Sequence, residues 1–136
     1  MRHLKRGRKL GRSASHRRAL IRNLTASLFL HGRIITTVEK AKEARRFAEA
    51  LITFARKGHA ADTQEKKLHY FRQIHSRLDH KDATRKVFNE IGPAMAERNG
   101  GYTRILRLAK NRLGDNASQA VFELVNHDPQ AAADAS

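Results

Sequence analysis

The sequence predicts an α+β fold. We expect a two-layer α/β domain of order α-β-α-α-α-β-β, with a small three-stranded mixed sheet, helices packed on one face of it, and a basic N-terminal arm. Three observations point there. Apolar residues recur at helical spacing in four stretches between residues 13 and 92. Short β-branched or alternating runs stand at 33–38, 102–109 and 120–125. Ten cations precede the first acidic residue, Glu39. With 136 residues, 40% of them apolar, the chain suits one domain with one core.

Residues 1–12 contain Gly7, Gly11 and six cations, with too little apolar surface to fold alone, and read as an arm. The globular domain is expected over 13–126. Ser13 or Ser15 can cap the first helix, whose inward stripe is Ile21, Leu24 and Leu28, with Leu20 beside them. Arg18 and Arg22 face away from it, and Phe29 falls on their side. Gly32 suits a left-handed C-cap. Residues 33–38 read as a strand, and Thr37 can cap the next helix. There Ala41, Ala44, Ala48, Leu51, Ile52 and Ala55 form one stripe, Lys42, Glu43, Arg46 and Glu49 lie away from it, and Gly58 is a stop. Asp62 with Glu65 reads as a capping box for a helix burying Leu68, Phe71, Ile74 and Leu78. Asp82 can cap a fourth helix with Val87, Phe88 and Ile91 inward, kinked or interrupted at Gly92-Pro93. After Gly100-Gly101 come a strand over Tyr102–Ala109, turn chemistry at Leu113-Gly114-Asp115-Asn116, and a strand over Ala120–Val125. The Ala-rich, acidic segment 127–136 reads as a disordered tail.

The net charge of +15 calls for an anionic partner. Residues 1–38 carry ten of those charges: Arg2, Lys5, Arg6, Arg8, Lys9, Arg12, Arg17, Arg18, Arg22 and Arg33. Eight are arginine, whose planar fork bonds phosphate oxygens in pairs and stacks on bases. His3, Ser15 and His16 lie among them and can add hydrogen bonds or stacking. The start of the first helix supplies backbone N–H donors and a positive dipole end. A second basic group, Arg104, Arg107, Lys110 and Arg112, stands with Tyr102 in the strand–turn region, where charges also guard a strand edge. These residues are the candidate RNA-binding set. The alternative is an architectural DNA-binding protein, but no recognition helix or dimer is evident to set half-site spacing.

Other chemistry has little footing. Cysteine is absent, so thiolate metal sites and disulfides are excluded. His69, His75 and His80 are too unevenly spaced to share a helical face, so no metal is expected. There is no dinucleotide or Walker motif, and serines 13 and 15 are accounted for by capping, so neither cofactor nor catalysis is expected. No apolar run approaches a membrane span, no signal peptide is visible, and the expected location is the cytoplasm. Nothing suggests a homo-oligomer.

Over residues 1 to about 126 the chain resembles the bacterial large-subunit ribosomal protein seventeen family. The matching stretches include Gly7-Arg8-Lys9-Leu10, Ser15-His16-Arg17, Arg22-Asn23-Leu24, Ile35-Thr36-Thr37, Ala41-Lys42-Glu43-Ala44-Arg45-Arg46, Asn89-Glu90-Ile91-Gly92-Pro93, Gly100-Gly101-Tyr102-Thr103-Arg104-Ile105-Leu106 and Gly114-Asp115-Asn116-Ala117. Their order and spacing carry the resemblance. It implies a structural, non-enzymatic component of the ribosome, docked on large-subunit ribosomal RNA near the peptide exit side and touching ribosomal protein thirty-two. It also implies RNA contact by the Met1–Arg18 and Tyr102–Arg112 regions. The chain departs from the family at Ser118-Gln119, where Pro-Met is usual, in a longer, more polar 58–82 region, and in the tail after Asn126.

Overall fold

The structure is a computed structural model that describes residues 3–125. Arg2 and the acidic tail lie outside the described residues. Helix α1 runs Ala14–His31, strand β1 Arg33–Thr37, α2 Val38–Ala60, α3 Gln64–Leu78 and α4 Lys81–Lys86. A π-helical turn, Val87–Ile91, leads into the short α5, Gly92–Ala94, before β2, Thr103–Arg107, and β3, Gln119–Leu124.

The α2 stripe organises the core. Ala41, Ala44, Ala48, Leu51, Ile52 and Ala55 are all fully buried. Four of those six are alanines, which let neighbouring backbones come close, and α2 packs on α1, α3, the π turn and all three strands. The approach is close where side chains are smallest: a Cβ added at Gly92 would stand 2.9 Å from the Ala55 Cβ.

The sheet order is β1-β3-β2, with β3 antiparallel to both neighbours. Both ladders are therefore antiparallel, where a mixed sheet was expected. The β2–β3 connection is a hairpin through the turn at 112–116, and β1 enters from the opposite edge. Alternation then sorts the side chains. Ile34, Phe122 and Ile105 form one cross-strand row toward the helices. Arg33, Glu123 and Arg104 form a row on the open face, and Ile35, Val121 and Leu106 form the next. Gln119 opens β3 opposite Thr37, so Ser118-Gln119 enters the strand without disturbing its register.

Several local expectations change. Phe29 is fully buried, because the C-terminal half of α1 is covered by α4 and β1 as well as α2. Gly58 is buried inside α2, wedged against Phe88 and Tyr70, and the helix continues to Ala60. Thr63, not Asp62, caps α3 by accepting from the Lys66 N–H. Asp62 instead accepts from Lys66 Nζ at 3.0 Å, and Glu65 falls one position short of where a capping box needs it. His80, not Asp82, caps α4, its Nδ1 accepting from the Ala83 N–H at 3.1 Å. Leu68 is exposed on α3, while Ile74 and Leu78 are buried. The fourth helix widens before Gly92-Pro93: Pro93 has no N–H for the Asn89 carbonyl, and Gly92 bonds Val87 five residues back.

Candidate nucleic-acid interface

Ahead of α1 the chain bends rather than coils. Leu4, Gly7, Leu10 and Gly11 all have positive φ, and His3, Lys5, Arg6, Arg8 and Lys9 are exposed. Gly7 rests close to α2: a Cβ there would stand 3.0 Å from Glu43 Oε1. Arg12 turns back on its own segment, donating to the Leu10 carbonyl at 2.6 Å. Ser13 then caps α1, accepting from the His16 N–H at 3.4 Å, while Ser15 and His16 stay exposed. The first turn of α1 holds no acid, and Arg17 and Arg18 follow at its positive end. Cations there oppose the helix dipole, and a bound anion relieves both.

One face of α1 borders an open-sided cleft of about 510 Å³. Arg17, Arg18 and Arg22 come from α1, Arg46 from α2 and Arg77 from α3. Ile21 and Phe47 give it an apolar lining, and among the described residues Glu43 is its only carboxylate. Among the described residues none of the five arginines forms an ion pair with a carboxylate. Arg77 also stacks on Phe54, 4.5 Å from the ring centroid. The Lys5–Lys9 stretch lies beside the same surface, since Glu43 and Arg17 border both.

The second basic group is more mixed. Arg104 bonds Glu123 on the open sheet face, and Arg33 reaches the same carboxylate from β1 at 3.0 Å. Arg112 pairs with Asp115 in the turn. That guanidinium, aided by the Ala117 N–H, holds the Asp115 carboxyl down to about 2. Arg107 and Lys110 are exposed and outside these pairs. Tyr102, also in the candidate set, is 2% exposed, and its hydroxyl accepts from Arg56 at 2.7 Å.

Two neighbouring clamps fix where β2 leaves the helical layer. Arg56 also donates to the Ala96 carbonyl at 3.0 Å and to Asn99 Oδ1 at 3.2 Å. Glu49 accepts from the Thr103 hydroxyl at 2.9 Å and its N–H at 3.3 Å.

Sequence reasoning missed Arg46, Phe47 and Arg77. Arg46 was correctly placed off the α2 stripe, but only the packing of three helices shows that it meets the α1 arginines. No local spacing carries that information.

The chain is thus a small α+β domain that carries a basic arm and an arginine-lined cleft. The model of the family described as Ribosomal protein L17 matches residues 20–125, and the chain belongs to that family. It is 48% identical over 133 residues to the large ribosomal subunit protein bL17 of Desulfotalea psychrophila, covering 98% of this chain and 96% of that one. It is 50% identical over 125 residues to bL17 of Thermus thermophilus, covering 92% and 99%. Against bL17 of Allorhizobium ampelinum it is 47% identical over 131 residues, covering 96% and 86%.

Proposed function

We propose that the protein is a structural, non-enzymatic constituent of the large ribosomal subunit in the cytoplasm, binding and ordering large-subunit ribosomal RNA. Family membership and near full-length similarity to large-subunit proteins support the assignment. The observation that carries RNA binding is the run Lys5, Arg6, Arg8, Lys9, Arg12, Arg17, Arg18 and Arg22. All eight lie on the arm and the adjoining α1 face, without carboxylate ion pairs among the described residues. Arg2 extends that run in sequence, and His3, Ser15 and His16 add hydrogen-bonding capacity. Phosphate contacts from this surface position the protein, and the arm orders as it binds, with 13–126 as the globular body. Arg107, Lys110 and Arg112 form a second contact on the hairpin. Arg33 and Arg104, half-exposed beside Glu123, serve as weaker ones.

Neighbouring ribosomal proteins complete the environment, including protein thirty-two, the partner that the resemblance implies. Ile35 and Leu106, exposed at 63% and 47% in the row next to Arg33 and Arg104, suit a protein neighbour on that part of the open sheet face.

The test is competition binding of the purified chain to deproteinised large-subunit ribosomal RNA against duplex DNA of equal phosphate content. Preference for the ribosomal RNA supports the proposal. Equal or stronger binding to duplex DNA contradicts it and favours an architectural DNA-binding role.

A further inference from the structure

The geometry points to the cleft between α1, α2 and α3 as a receptor for a single unpaired nucleotide of ribosomal RNA, its base against Phe47 and Ile21 and its phosphates held by the surrounding arginines. This inference rests on the ribosomal RNA reading above and adds a specific site to it.

Three features of the cleft converge. Its charge is unbalanced: five arginines from three helices face one carboxylate, Glu43. Like charges held together this way repel unless an anion lies between them. Its lining is partly apolar, through half-buried Phe47 and Ile21. A phosphate alone would satisfy the arginines and leave that apolar surface wet. A duplex can touch the arginines with its backbone, but its bases are stacked and cannot reach the lining. Finally, about 510 Å³ falls within the range of roughly 300–1,000 Å³ usual for small-molecule sites, which suits one nucleotide. Unpaired bases splayed onto aromatic rings or guanidinium planes are a general mode of RNA recognition. Glu43 adds an acceptor that can take a hydrogen bond from a base N–H.

The test is nucleotide-resolution 2′-hydroxyl acylation of deproteinised large-subunit ribosomal RNA bound to the full chain, comparing native protein with Phe47→Leu and Arg46→Ala. Leucine keeps an apolar side chain at position 47 but cannot stack. Arg46 is exposed and, among the described residues, in no ion pair, so its loss should leave the fold intact, and thermal unfolding checks both variants. We expect both to expose the same one or two unpaired nucleotides while the arm's footprint persists. Phe47→Leu should weaken binding roughly 5- to 150-fold, as loss of one base–aromatic stack does. Footprints identical to the native protein's in both variants overturn the cleft assignment and leave ribosomal RNA binding standing. Absence of any footprint with the native chain overturns the RNA reading, and the cleft with it.

Discussion

Arg33 and Glu123 face each other across the β1–β3 ladder, the guanidinium Nη2 lying 3.0 Å from a carboxylate whose side chain is only 9% exposed. Arg104 meets the same carboxylate from β2, so one acid ties all three strands on the open face. Both arginines are 57% exposed, which screens each pair. Glu123→Gln should therefore cost about 1–2 kcal/mol, less than a fully buried pair. Arg33→Ala and Arg104→Ala should each cost less, since the other arginine remains. The double variant should exceed their sum, because it strands a buried carboxylate. Urea unfolding of the four variants measures this, and strict additivity would contradict the shared clamp.

Gly58 sets helix propensity against packing. In an exposed helix Gly→Ala stabilises by about 1 kcal/mol. Here the new Cβ would stand 2.6 Å from Phe88 Cε2 and 3.0 Å from the Tyr70 Cβ. Overpacking of this kind costs about 1–3 kcal/mol, so Gly58→Ala should lower the thermal midpoint. A raised midpoint would show that α3 and the π turn yield freely.

The Asp115 carboxyl has a definite pH signature. Its folded value of about 2 lies below the ordinary 3.8, mainly through its hydrogen bond from Arg112. A depressed acid contributes stability that is full above its unfolded value and lost as pH falls through the folded one. The hairpin turn should therefore hold down to about pH 4 and weaken between there and about pH 2. Carbon-detected NMR titration should place Asp115 near the lower value, and Arg112→Ala should return it toward 3.8.

Salt should weaken RNA binding steeply. If about six to ten phosphates are contacted, affinity falls about 10³- to 10⁵-fold between roughly 50 and 200 mM salt on a duplex scale. Replacing Arg6 or Arg8 by alanine should reduce the slope of log affinity against log salt by about 1 each. Glu123→Gln leaves those arm contacts in place and should leave most of the slope unchanged.

Much of this was legible in the sequence. The α2 stripe, the Gly32 cap and the three strands follow from periodicity and turn chemistry, which are local. What failed was set by tertiary contact. Phe29 looked misplaced because pattern alone cannot show that α4 covers a second side of α1. Gly58 looked like a stop because its neighbours Phe88 and Tyr70 arrive from elsewhere in the chain. The burial of Tyr102 against Arg56 is likewise a contact between residues far apart in sequence. The basic arm was plain from composition. The Arg46–Phe47–Arg77 side of the cleft was not, since each residue looks like an ordinary helix position until three helices meet.

The central claim is membership of the large ribosomal subunit, and fractionation of a native lysate on a sucrose gradient tests it most directly. The chain should travel with the large subunit at low salt and persist through a moderate salt wash. If it stays at the top of the gradient, or follows the nucleoid, the ribosomal assignment is contradicted.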